Sequence, residues 1–198
     1  ELSKRGAKLL LLARDRERLE KVRMQCSHSD RHSCYSVDLE DYRDAATQTL
    51  KILAEQGNID ILINNAGISQ RSFVKETQLA VYEKLMAVDY FAPVAMTKAL
   101  LTHMMEKKSG QIVTVSSIAG MIATPYRSGY SAAKHAIIGF MDSLRAEIYQ
   151  QNIIVTLLCP GFIKTGISTK ALTADGSALG ELDSGQANGL PSEICARE

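Results

Sequence analysis

The sequence has no excess of either charge, no apolar run of membrane-spanning length, no C-x-x-C pair and no internal repeat. Formal net charge is +1, with 23 Lys and Arg scattered among 22 Asp and Glu. That balance excludes partners held by bulk electrostatics, nucleic acid and anionic surfaces among them. No uninterrupted apolar segment approaches the ~20 residues of a spanning helix. The opening residues, ELSKRGAK, form neither a signal nor a transit peptide, and there is no initiator Met, so the sequence is expected to be cut from something longer. Cys26, Cys34, Cys159 and Cys195 are too scattered to staple a chain of this size and read as reduced thiols. A reducing, cytoplasmic setting is expected. Cys26-Ser-His28 and His32-Ser-Cys34 bring two Cys and two His within nine residues, but this spacing is too compressed for a zinc finger. A loop between helix and strand, without metal, is expected there.

What remains is an ordinary globular composition, 45% hydrophobic over 198 residues, with no linker; residues 1–198 are expected to form a single domain. Short apolar runs alternate with amphipathic stretches. Strands are expected at 8–13, 32–37, 60–63, 111–115 and 153–158. Helices are expected at 15–25 (Leu19 and Val22 inward), 41–55 (Ala45, Leu50, Leu53 and Ala54 inward), 76–107 and 130–150. Residues 1–6 read as a helix end closed by Gly6. Pro93 lies inside the 76–107 stretch and predicts a kink or a division into two helices. Alternating strands and helices imply an α/β fold, a doubly wound parallel sheet with helices on both faces.

In such sheets ligands sit beyond the carboxyl ends of the strands. The polar and turn-forming residues gather at those ends: Arg14, Asp38, Asn64 to Gly67, Ser116 and Ser117, and Pro160-Gly161. The segment QIVTVSSIAGMIATPYRSGYSAAK, residues 111–134, carries the chemistry. Tyr130 and Lys134 are four apart and share one face of a helix. An ammonium beside a phenol favours the phenolate, and such a pair can exchange a proton with an alcohol or carbonyl oxygen. A strand-to-helix return can bring Ser117, thirteen residues upstream, beside the phenol to hydrogen-bond a substrate oxygen.

These motifs together, Asn64-Asn65-Ala66-Gly67, Ser117, Tyr130-x-x-x-Lys134 and Pro160-Gly161 followed by Thr165, resemble the short-chain dehydrogenase/reductase family over residues 1 to about 196. The stretch from Thr165 through TADGS resembles the subgroup named dehydrogenase/reductase member 7 and its bacterial relatives. The resemblance implies a Rossmann-type fold and a nicotinamide cofactor, NADP with NAD as the alternative. It implies that Tyr130 is the general acid/base and also touches the cofactor, that Lys134 tunes it and holds the nicotinamide ribose, and that Ser117 orients the substrate oxygen. Asn65, Ala66 and Gly67 would line the cofactor, Asp38 would meet the adenine, and Ile163 and Thr165 would hold the carboxamide. An arginine at position 14 suits the 2′-phosphate of NADP. The implied activity is interconversion of a secondary alcohol and a carbonyl on a small molecule, in a homodimer or homotetramer.

Two features depart from the family pattern. Asp89 stands where the family carries an asparagine that supports the proton relay; an altered relay is expected, and Asp89 is counted with the catalytic residues. The T-G-x-x-x-G-x-G loop and its strand do not occur in the sequence, and no last strand follows Cys195. A sheet without its first, central strand and without its last strand is therefore expected, and so is a lost membrane anchor as the alternative to a cytoplasmic chain. The competing reading of the sequence is a silent fragment that acts only through subunit association.

Overall fold

Each apolar run becomes a parallel strand, and each amphipathic stretch returns the chain antiparallel to it. The computed structural model describes residues 1–197. The strands that carry the site are β1 (Leu10–Ala13), β2 (Ser33–Ser36), β3 (Ile61–Asn64), β4 (Gly110–Val115) and β5 (Ile153–Leu158). Between them run α1 (Arg16–Gln25) and α2 (Tyr42–Gln56), then α3 (Leu79–Met86) continuing into α4 (Ala92–Lys107), then α5 (Ser128–Glu147). Aspartates start the first two helices: the Asp15 carboxylate accepts from the Arg18 N–H at 2.9 Å, and Asp41 accepts from Asp44 at 3.0 Å. Gly57 closes α2 at φ 74°, a left-handed conformation that suits glycine. Residues 3–5 form a 3₁₀ turn rather than a helix end, with Gly6 at φ 88° after it.

The kink expected at Pro93 is a π turn. Proline has no N–H to offer the Asp89 carbonyl four residues back, and the ladder widens: the Ala92 N–H reaches the Ala87 carbonyl, five residues back, across Ala87–Phe91. The resulting continuous helix, Leu79–Lys107, is 29 residues long and apolar enough to cross a membrane by length and composition, which no unbroken apolar run in the sequence announced. It serves here as a core helix: Met96, Leu100 and Met104 pack with Ile112, Ile137, Met141 and Leu144 in one cluster.

The parallel sheet is divided. β1 pairs with β2 from Leu10↔Ser33 to Ala13↔Ser36, and β3-β4-β5 form a separate three-stranded sheet. Among the described residues no ladder joins β1 to β3. The hydrophobic cluster nevertheless spans both, with Leu12, Tyr35 and Val37 packed on the same core as Leu62 and Ile112. A third, two-residue pairing joins β6 (Ile163–Lys164) to β7 (Leu190–Pro191). The expected cover of helices on both faces is also only half realised. Leu62, Ile112 and Val155, aligned by register, are buried beneath α4 and α5. Their neighbours Ile61, Ile63, Ile154 and Leu158 point the other way and are exposed, Ile154 by 60%.

Some inward positions differ from the sequence expectation. Val22, Leu50 and Ala54 are exposed, whereas α2 buries Ala45, Thr49 and Ile52, a face set by i, i+4 and i+7. His32 is buried, with both ring nitrogens engaged by backbone: Nδ1 accepts from the Leu9 N–H at 3.2 Å and Nε2 donates to the Ser27 carbonyl at 2.9 Å. That imidazole ties the start of β1 to the loop before β2. All four cysteines are unpaired.

Candidate active site

β4 ends in two serines with different work, because alternate residues of a strand face opposite ways. Ser116 is buried and donates from Oγ to the Lys134 carbonyl at 3.1 Å, fastening the strand end to α5. Ser117 is half-buried and caps the 3₁₀ turn Ile118–Gly120, its Oγ accepting from the Ala119 N–H at 3.1 Å. The Ser117 hydroxyl donates to no acceptor among the described residues. The turn lies tight against α5 because residue 120 is glycine: a Cβ there would stand 2.7 Å from both the Lys134 carbonyl and Ser116 Oγ. We expect Gly120→Ala to lower unfolding free energy by about 1–3 kcal/mol, as overpacking does, measured by denaturant titration.

α5 presents Tyr130 and Lys134 at the carboxyl end of the sheet. Tyr130 is half-buried against Val81, Leu85 and Leu172. Lys134 lies beneath, 5% exposed, with Nζ 5.8 Å from the Tyr130 ring centroid and donating to the Val115 carbonyl at 3.2 Å. The π turn supplies Asp89, 1% exposed, whose Oδ1 accepts from the Ile68 N–H at 2.9 Å and whose Oδ2 is 4.0 Å from Lys134 Nζ. Oδ2 has no hydrogen-bond partner. Burial pushes the Asp89 carboxyl up to about 6, against the opposing pull of the Lys134 charge and the Ile68 amide. Gly67 borders this pair so closely that a Cβ would meet Asp89 Oδ1 at 3.1 Å and Lys134 Nζ at 3.2 Å.

The sequence-predicted residues therefore fall into three groups. Gly67, Asp89, Tyr130 and Lys134 come together, with the Ser117 turn packed on α5 beside them and Asn65 and Ala66 exposed at the rim. Arg14 and Asp38 meet at the ends of β1 and β2, 3.9 Å apart and both largely exposed. Ile163 and Thr165 sit on β6 and the turn after it; Thr165 Oγ1 accepts from the Ile167 N–H at 3.4 Å. Asn64 is not a rim residue but an internal tie, its amide reaching Thr97 of α4 and Thr114 of β4.

Other site residues gave no local signal in the sequence. Gln70, fully buried, accepts from the Gly129 N–H at 2.8 Å and so caps α5, whose own N-cap residue Arg127 makes no side-chain cap. Its amide in turn donates to Ser72 and Thr77. Arg71 and Arg127 both donate to one oxygen, Oδ2 of Asp183, at 3.1 and 2.8 Å, tying the loops after β3 and β6 to the start of the tyrosine helix. Burial lowers the Arg71 pKa, and the neighbouring Arg127 charge adds to the effect.

The family profile described as short chain dehydrogenase matches residues 1–176. The chain belongs to the short-chain dehydrogenase family. It is 47% identical to the mouse protein named dehydrogenase/reductase SDR family member 7B, over 98% of this chain and 61% of that protein, so it spans about three fifths of such a relative's length. Among solved structures, a short-chain dehydrogenase from Streptomyces avermitilis superposes with a TM-score of 0.79 at 28% identity, covering 94% of this chain and 67% of that one. A metagenomic short-chain oxidoreductase, solved in complex with NADP, gives 0.75 at 30% identity, covering 81% and 73%. Membership of this short-chain dehydrogenase family accounts for the Rossmann-like fold.

Proposed function

We propose that the chain carries the proton-transfer and substrate-positioning part of an NADP(H)-dependent oxidoreductase that interconverts a secondary alcohol and a carbonyl. The observation that carries this reading is the placing of Tyr130 over the buried Lys134 on α5, with the turn that follows Ser117 packed against the same helix at Lys134 and with Asn65 and Ala66 exposed beside Gly67. The missing Cβ at Gly67, which would stand 3.1 Å from Asp89 Oδ1 and 3.2 Å from Lys134 Nζ, supports an approach to Lys134 from the rim. A bound nicotinamide supplies the hydride donor or acceptor. Lys134 and the rim residues would hold its ribose side, and Ile163 and Thr165 would hold its carboxamide. Ser117 donates a hydrogen bond to the substrate oxygen. Tyr130 gives that oxygen a proton in reduction and takes one in oxidation. The mouse relative's name and the NADP of the metagenomic neighbour support the same reading.

Arg14 holds the 2′-phosphate in this proposal. Its pair with Asp38 is long and exposed, so it holds the guanidinium only weakly and leaves it free to turn to a phosphate. Asp38 would meet the adenine. We place the chemistry in a reducing, cytoplasmic compartment, as the four unpaired cysteines suit, and the complete protein in a homodimer or homotetramer.

The test is titration with NADPH and NADH followed by nicotinamide fluorescence. Preferred binding of NADPH is expected, with Arg14→Asp weakening NADPH about tenfold relative to NADH. Equal affinity for the two cofactors in the native chain would remove NADP from the proposal. Failure to bind either would remove the enzyme reading of this chain.

A further inference from the structure

A second charged cluster, two arginines on one carboxylate, stands outside the proton-transfer scheme. Its members come from three distant segments: Arg71 from the loop after β3, Arg127 from the residue before α5, and Asp183 from the segment after β6. Their side chains are 14, 18 and 21% exposed, so this is not a solvated pair of the kind that contributes little. Each member is also fixed from its own side. Asp183 Oδ1 accepts from the Gly185 N–H at 2.9 Å and so caps α6 (Ser184–Ala187), while the Asp183 N–H donates to Ser168 Oγ at 3.1 Å. Arg71 Nη1 donates to Ser69 Oγ at 2.9 Å and to the Gln70 carbonyl at 2.7 Å. The Arg127 guanidinium lies 5.9 Å from the Phe162 ring centre. Oδ2 of Asp183 is the one atom on which the three segments meet.

The segment that carries Asp183 also reaches Tyr130. Residues 163–191 close on themselves through the β6–β7 pairing. Within them, the Leu172 N–H donates to the Ser69 carbonyl and the Leu172 carbonyl accepts from the Arg71 N–H, both at 2.8 Å. The Leu172 side chain packs with Val81 and Leu85 against the Tyr130 ring. At the other end, Arg127 stands three residues before Tyr130, and its carbonyl accepts from the Ser131 N–H at 2.7 Å in the first turn of α5. That turn has no side-chain cap from Arg127 and takes its cap from Gln70, the neighbour of Arg71.

We propose that Asp183 is a positioning residue: its carboxylate latches residues 163–191 onto Arg127 and Arg71, which keeps Leu172 against the Tyr130 ring and holds the first turn of α5, and so sets where the phenol stands. One bonded oxygen thereby fixes the ring from two directions, through the packing of Leu172 and through the backbone of its own helix. Removing the carboxylate leaves two guanidiniums facing each other without a counter-charge, so the segment loosens where it meets the helix.

This inference deepens the proposed proton transfer and rests on it for its effect on turnover, but the latch is testable without turnover. The full chain, with its seven tyrosines ring-labelled with carbon-13, gives one NMR signal that is absent in Tyr130→Phe and so marks Tyr130. In Asp183→Asn that signal is expected to shift and broaden. Hydrogen exchange at the Leu172 and Leu179 amides, which do not touch the carboxylate, should quicken about tenfold while Ile112 on β4 is unchanged. Asp183→Glu, which keeps the carboxylate, should recover most of both readouts. In turnover, Asp183→Asn should lower kcat about tenfold and leave KM for NADPH within a factor of about two. A merely structural Asp183 would lower the melting temperature without moving the Tyr130 signal. A Tyr130 signal and Leu172 exchange both unchanged in Asp183→Asn would overturn the proposal. If that variant does not fold, Arg127→Lys, which keeps the charge but loses the fork, reads the same two signals, and their constancy overturns the proposal equally. If the chain shows no turnover, the proposed function fails while the NMR and exchange arms still decide the latch.

Discussion

Replacing Tyr130 by phenylalanine is expected to lower turnover by a factor of about 10²–10⁴, the range that a positioned acid/base contributes, while leaving cofactor affinity within a factor of about two. The change removes one oxygen from a half-buried ring. The ring's contacts with Val81, Leu85 and Leu172 remain, as does the Lys134 ammonium below it, so the fold should be undisturbed. Stopped-flow absorbance of NADPH in single turnovers separates the chemical step from binding. A Tyr130→Phe variant that turns over at the native rate would show that the substrate oxygen receives its proton from another group.

The second large effect concerns stability. Lys134→Met should destabilise the chain by about 1–2 kcal/mol above neutral pH, because it leaves a buried carboxylate without its counter-charge until that carboxylate takes up a proton. The pH dependence has a definite sign. The folded Asp89 carboxyl sits at about 6 against a reference of 3.8, so the folded state holds that proton more tightly than the unfolded chain. This contribution to stability is fully present below about 3.8 and is lost as pH rises through about 6. Lys134→Met should therefore cost little near pH 4 and most above neutrality. Combined with Asp89→Asn, most of the loss should be recovered, since no charge is then stranded. Urea titrations of the four species at two pH values measure the cycle. An equal loss with and without Asp89, at both pH values, would mean that the pair carries no coupling.

What could be read from the sequence was what depends on near neighbours. The helices expected from residues 15 and 41 begin one residue later, and Asp15 and Asp41 cap them. Tyr130 and Lys134 are brought together by helical geometry, so their spacing sufficed. Pro93 announced a distortion, though not that it would be a π turn presenting Asp89 to Lys134. Contacts between distant segments gave no such warning. Gln70 caps a helix 59 residues away, and Arg71 meets Asp183 across 112 residues. No local period encodes either pairing. Leu50 and Val22 fit an amphipathic pattern but stand at its edge, where the packing of neighbouring elements decides which side is inward. The cofactor residues on the rim were legible as strand ends. Their roles rest on family likeness, since rim exposure alone names no ligand.

The half-covered sheet bears on how this polypeptide behaves in a tube. Ile61, Ile63, Ile154 and Leu158 form an oily shelf of branched side chains, and the outer edge of β3 beside it has no strand paired to it among the described residues. Such a surface adheres to whatever apolar material is nearest, including other molecules of the same kind. Concentrated preparations will tend to clump, and mild detergent will do more for recovery than added salt, which strengthens such adhesion.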